Sequence, residues 1–216
     1  MNVTDDIKGG AIATAIIGGW LTSLVLLLAW EPAGGWWALV PLAVGVQTFL
    51  YTGLFITAHD AMHGTVTPSH DRINDAFGAV AVGLYALFSY DKLHEKHWEH
   101  HDEPASDEDP DYHDGEHDGF WRWYGRFLTH YVGFWQIVGM AVVYNVLHHL
   151  VGVDLMNLNV FWVAPALLST LQLFYFGTYL PHREPEGGYE DEHRATSNAY
   201  SVFWSFVTCY HFGYHW

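Results

Sequence analysis

The chain has 216 residues, half of them apolar and 17% aromatic, and its 8 Lys and Arg face 24 Asp and Glu for a formal net charge of -16. That charge excludes a nucleic-acid binder, which needs a basic face for phosphates. A single cysteine, Cys209, excludes a disulfide scaffold and any cysteine-based zinc or iron–sulfur site.

The first element predicted is an uncharged run, Ala11–Trp30, about the 20 residues needed to cross a bilayer. Glu31–Gly35 then reads as a tight turn, and Trp36–Ala58 as a second crossing. This immediate second run argues against a cleaved signal peptide. Tyr131–Val153 and Leu155–Pro181 supply a third and fourth, separated by a polar break at Asp154 and with Pro165 expected to kink the last. Four such runs in one small chain predict a polytopic membrane protein rather than a buried soluble core. Ala76–Tyr90 is uncharged but too short to cross comfortably, so it reads as interfacial or half-inserted. Ser197–Tyr210 reads as interfacial from its Tyr and Trp. All eight positive residues, Lys8, Arg72, Lys92, Lys96, Arg122, Arg126, Arg183 and Arg194, fall outside the two short loops. The excess of positive charge on cytoplasmic loops therefore predicts both termini and both large polar segments in the cytoplasm.

The 16 histidines outnumber Lys and Arg together by two to one, and most lie in the polar segments. His59 and His63 form HDAMH at the end of the second crossing, where i and i+4 share one helix face. The pair alone suits interfacial polar residues as well as it suits a metal. In LHEKHWEHHD, His94, His97 and His101 recur at steps of three and four with His100 beside them. A merely solvated face would more naturally use Lys and Glu. The stretch from Asp91 to Asp118 carries 12 of the 24 acidic residues and reads mostly as solvated loop. His182 falls where the fourth crossing ends, and His211 and His215 repeat the i, i+4 spacing. All these groups lie on the predicted cytoplasmic side. Six or more converging imidazoles exceed the three or four ligands of one zinc ion and point to two metal ions. Beside an apolar cavity in a membrane, that favours di-iron and O2, because unactivated C–H bonds need such an oxidant. The expected class is an all-α integral membrane protein: four transmembrane helices, interfacial helices and a cytoplasmic His-rich di-metal cap.

HDAMH, HWEHH and the late histidines resemble the three histidine boxes of the membrane fatty-acid desaturase and hydroxylase superfamily. A finer resemblance is to the bacterial and cyanobacterial β-carotene ketolases. It is carried by His59–Thr67, Leu84–Tyr90, His97–His101 with Pro104, Asp109–His113, Phe176–Arg183 and Ala199–Trp216, nearly the whole chain. The resemblance implies one desaturase/hydroxylase-like domain over 1–216 in the bacterial inner membrane. His59, His63, His97, His100, His101, His182 and His215 would ligate two iron ions, with O2 as co-substrate. Asp60, His94, Asp109, Asp111, His113 and His211 would orient those ligands from behind. The family's third box continues with a further pair of adjacent histidines a few residues past His215, so the box is expected to be truncated in this sequence, which stops at Trp216. The implied reaction hydroxylates C4 of the β-ionone ring of β-carotene twice and loses water to give a ketone, yielding echinenone and then canthaxanthin. The implied electron donor is external, a ferredoxin, since no flavin, haem or dinucleotide motif is present. The alternatives are a carotenoid ring hydroxylase or fatty-acid desaturase on the same scaffold, and a non-enzymatic membrane metal-binding or transport protein. A transporter should hold its ligands near the middle of the crossings. Here they sit at helix ends, except His148 and His149 near the opposite side, which read as interfacial.

Overall fold

A computed structural model describes residues 3–31, 33–189, 193–197 and 199–212. The described residues are helical with no β-strand. The helices are α1 (Val3–Leu28), α2 (Val40–Met62, entered through a 3-10 turn at Gly34–Leu39), α3 (Asp71–Ala86) and α4 (Tyr90–Asp102). They continue as α5 (Phe120–Tyr131), α6 (Phe134–Val151), α7 (Leu155–His182) and α8 (Val202–Cys209). Four stretches are long and apolar enough to cross a membrane: Val3–Leu28, Gly34–Met62, Phe134–Val151 and Leu155–His182. They match the four uncharged runs. At 1.5 Å per residue the shortest, of 18 residues, reaches about 27 Å, close to the thickness of a hydrocarbon core.

The chain divides into two compact units. The first holds Met1–Tyr90 and Trp135–Ser169. Its spans expose apolar side chains outward, such as Ile12, Val25, Leu42 and Val142, an arrangement suited to lipid and costly in water. Inside lies a polar layer: Thr52 Oγ1 donates to Ser169 Oγ at 3.0 Å, and Tyr85 Oη donates to the same atom at 3.1 Å. Such pairing is needed where no water reaches. α3 buries Asn74, Gly78, Ala81, Val82 and Tyr85, one helical stripe, while Ile73 and Val80 remain exposed. Asn74 fixes the loop after α2, donating to Ala61 O at 2.6 Å and accepting from Val66 N–H. Asp154, the polar break of the sequence, is the N-cap of α7 and accepts from the N–H groups of Met156 and Asn157. Asn157 Nδ2 in turn donates to the carbonyls of Leu28, at 3.1 Å, and Trp30, at 2.8 Å, closing the C-terminal end of α1.

Pro165 does not break α7. The helix widens into a π turn at Leu158–Val163 just before it, and into another at Phe174–Tyr179 ahead of Pro181. A proline lacks the N–H for the usual bond and its ring crowds the carbonyl four residues back; a widened turn relieves both. Gly78 is a close approach: a Cβ there would run into the Tyr90 ring. Gly78→Ala is expected to cost about 1–3 kcal/mol of stability by overpacking and to loosen the Tyr90 hydroxyl from Asp75. Thermal unfolding of the detergent-solubilised variant checks this, and an unchanged Tm would mean that Tyr90 yields freely.

The second unit holds Asp91–Phe134 and Thr170–Trp216. Its core is aromatic, with Tyr112, Trp123 and Phe174 buried and Phe120, Tyr124, Phe127, Tyr179 and Tyr189 packed around them. α5 is a helix that the uncharged runs do not announce. The third crossing starts after it, at Phe134, and not at Tyr131. The expected interfacial segment Ser197–Tyr210 contains α8, which exposes Val202, Phe203 and Trp204.

Candidate metal centre

In the first unit, His59 lies in the last turn of α2 and His63 caps its end, with their rings 4.7 Å apart. The Nδ1 of His59 is 3.4 Å from Asp60 Oδ1, on a mostly exposed carboxylate. The i, i+4 pairing expected from HDAMH is therefore present.

In the second unit α4 presents its imidazoles as a stripe. His97 and His101 stack edge-on with centroids 4.5 Å apart, and His100 lies beside His101 at 5.7 Å. His182, the last residue of α7 and only 3% exposed, meets His100 at 4.7 Å. Two residues 82 positions apart in the sequence, with two apolar spans between them, thus share one site.

Hydrogen bonds settle which ring nitrogens of this pair face outward. His182 Nδ1 lies 3.0 Å from the Arg194 carbonyl. A carbonyl only accepts, so Nδ1 carries the proton and Nε2 is the nitrogen left for a metal. His100 Nδ1 lies 2.9 and 3.0 Å from the two oxygens of Asp109, the same arrangement with a carboxylate. Metal-binding histidines have this pattern: the outer nitrogen is tied to an acceptor, which sets the tautomer and strengthens the donor. Burial opposes charge on His100, but Asp111 and Asp109 outweigh it and raise its pKa to about 9. A metal at Nε2 would have to displace that proton, since a ligating imidazole is neutral.

Asp109 is 1% exposed despite lying in the acidic stretch. It accepts from the N–H groups of Ala105 and Asp111 as well as from His100. Asp111 lies 3.9 Å from His100 and accepts from the Tyr131 hydroxyl. Burial raises the Asp111 carboxyl above its ordinary range, against the pull of His100. Lys96 sits over the Tyr131 ring, 5.6 Å from its centroid. Arg194, whose carbonyl holds His182, donates to Ala105 O, and the Tyr189 hydroxyl donates to His182 O. Tyr131 is hidden in the sequence because it heads an apolar run. Its only signal is a phenol at the run's polar edge. Tyr131→Phe is expected to cost about 1–3 kcal/mol, the range for leaving a charged acceptor short of a donor, and to lower product several-fold. Denaturation and product assays together check it. Wild-type values in both would remove Tyr131 from the network.

The other candidates divide. His94 Nε2 accepts from the Trp98 indole at 3.2 Å, so that nitrogen is engaged on the face of α4 itself. His113 Nδ1 accepts from Gly115 N–H, and its ring packs between Tyr112 and Trp123; its pKa is lowered by burial. That is a packing role rather than support of a ligand. His211 lies against Phe206 with a left-handed backbone. His215 and the tail of the third box lie outside the described residues.

Histidines at the end of α2, along α4 and at the end of α7, with the Nδ1 of His100 on a carboxylate and that of His182 on a carbonyl, suit a membrane protein of the desaturase class. Consistent with that, the fatty acid desaturase family matches residues 34–139. A β-carotene ketolase of Haematococcus lacustris is 39% identical over 98% of this chain and 74% of its own length. A β-carotene ketolase of Paracoccus sp. (strain PC1) is 39% identical over 98% of this chain and 86% of its own. A zeaxanthin 4-ketolase of Chlamydomonas reinhardtii is 41% identical over 98% of this chain and half of its own. No solved structure matches. The chain belongs to the β-carotene ketolase family of membrane-bound desaturase-like proteins.

Proposed function

We propose that the protein is a β-carotene 4-ketolase that uses two iron ions and O2. The observation that carries the reading is the pairing of half-buried His100 with buried His182, each with Nδ1–H tied to an acceptor, in a chain of this family. His59, His63, His97, His100, His101, His182 and His215 would hold the irons. When bound, they would supply the oxidising power, drawn from O2, to place oxygen in an unactivated C–H bond. The protein's own part is to hold the imidazoles in one tautomer, through Asp109 and the Arg194 carbonyl, and to keep the substrate in an apolar setting.

Each hydroxylation takes one O2, two electrons and two protons. One oxygen atom enters the C4–H bond and the other leaves as water. The second hydroxylation gives a geminal diol, and loss of water leaves the ketone. The electrons come from an external donor, a ferredoxin by the family resemblance. Residues 1–216 act as one domain in a bacterial inner membrane, with the histidines on the cytoplasmic face. The distribution of Lys and Arg supports that orientation.

The test is expression in β-carotene-producing cells with pigment analysis. Echinenone and canthaxanthin are expected. Accumulation of 3-hydroxy carotenoids, or of a desaturated acyl chain with no ketone, would overturn the assignment in favour of a hydroxylase or desaturase.

A further inference from the structure

The first histidine pair stands at a joint between helices, and α1, which carries no histidine, packs against that joint. α2 ends at His63, and Gly64 turns the chain with a φ of +69°. The chain then doubles back. The N–H and the hydroxyl of Thr65 both donate to the carbonyl of Asp60, the residue after His59, each at 2.9 Å. A shift of the loop 65–70 is therefore passed to the helical turn that carries both rings. The loop lies against the first turns of α1, with Val66 and Thr67 buried. At Gly9 a Cβ would overlap the carbonyl oxygen of Val66 and stand 3.0 Å from its carbon. That neighbour is backbone, so it cannot swing aside as the end of a side chain can. Gly9 is ordinary helix, where glycine costs stability against alanine, so what it contributes here is room for the loop. One turn earlier on the same face, Asp6 Oδ1 accepts from the Ser69 N–H at 2.8 Å, and its Oδ2 lies 3.6 Å from His70 Nδ1. From the other side Asn74 of α3 accepts from Val66 N–H and donates to Ala61 O.

We infer that Gly9 and Asp6 are positioning residues for the iron that His59 and His63 would hold. The inference rests on the two-iron ketolase reading and deepens it. Neither residue would touch the metal. They set where Val66 and Ser69 lie and, through Thr65 and the Asp60 carbonyl, how the two imidazoles are presented. Room for one methyl group at Gly9 requires the Val66 carbonyl to move by about 1 Å, more than the roughly 0.5 Å within which a ligand set must be held. The start of α1 is thus a working part of the metal centre.

The experiment titrates iron into the detergent-solubilised full chain, with Tm of the metal-free protein and ketone yield in β-carotene-producing cells as further readouts. Gly9→Ala is expected to weaken iron binding by about 10–100-fold, the range for a group that orients a ligand from behind. Asp6→Ala is expected to weaken it too, and carries the test if Gly9→Ala does not fold. Asp6→Asn keeps an oxygen for the Ser69 N–H and should retain most of the affinity. Gly18→Ala, on the same helix but with open space at its Cβ, should change nothing. Lower Tm with unchanged iron affinity in Gly9→Ala and Asp6→Ala would make both residues packing only, overturning the inference and leaving the ketolase reading in place. An Asp6→Asn variant as weak as Asp6→Ala would remove the acceptor role of Asp6. No iron and no ketone from the unaltered chain would remove the inference and the reading together.

Discussion

Replacing His182 with alanine is expected to abolish ketone formation and to strip iron from the purified protein. His182 brings the end of α7 to α4, and its Nε2 is the ring nitrogen left for a metal once Nδ1–H is given to the Arg194 carbonyl. Loss of a residue that merely supports a ligand costs about 10–100-fold in metal affinity or activity, so loss of the ligand should exceed the upper figure. The fold should survive, because the change forfeits one hydrogen bond, about 1 kcal/mol, and α7 retains its packing on the aromatic core. Metal analysis, pigment analysis and circular dichroism on one preparation separate these outcomes. The same result is expected for His59, His63, His97, His100, His101 and His215. Near-normal canthaxanthin from His97→Ala would remove that residue from the centre. His117, bonded to Asp114, and His130, bonded to the Arg126 carbonyl, are local devices. Alanine at either, or at His193, should leave ketone formation largely intact.

Asp109→Ala is expected to damage both the fold of the second unit and its affinity for iron. The carboxylate satisfies three donors at once, His100 Nδ1–H and the N–H groups of Ala105 and Asp111. Alanine leaves all three without an acceptor in a place closed to water. At about 1–3 kcal/mol for each unmet donor, the loss is of the order of the whole stability of a domain. Asp109→Asn keeps one oxygen and should recover much of the stability. It also offers an NH2 group where acceptors are needed, so His100 loses its tautomer lock and iron affinity should still fall about 10–100-fold. Tm and iron stoichiometry are the two measurements. An Asn variant that is both stable and fully loaded with iron would show that Asp109 is only a loop anchor.

The crossings are legible in the sequence because a chain rarely keeps a stretch of bilayer length free of charge unless lipid surrounds it. The histidine stripes are legible because α4 and the end of α2 are regular helices whose i, i+4 arithmetic holds. α5 is concealed, since Arg122 and Arg126 break the apolar pattern just ahead of the third crossing. The burial of Asp109 is hidden as well, because nothing in a string of twelve acids marks the one that turns inward. That distinction is made by the fold: the chain reverses at Ala105, and Asp109 receives the N–H groups this exposes. The π turns of α7 are equally hidden, because a proline announces a disturbance and not the form it takes.

The closure of α1 by Asn157 has a consequence for the order of assembly. The carbonyls of Leu28 and Trp30 are capped by a side chain 129 and 127 residues further along. During synthesis the first two helices can pair as soon as they emerge, but the end of α1 must borrow its hydrogen bonds from the membrane surface until the last crossing arrives. The early hairpin is thus provisional, and Asn157 fastens it only when α7 is in place. A nascent chain arrested before that point would hold its first helix by packing alone.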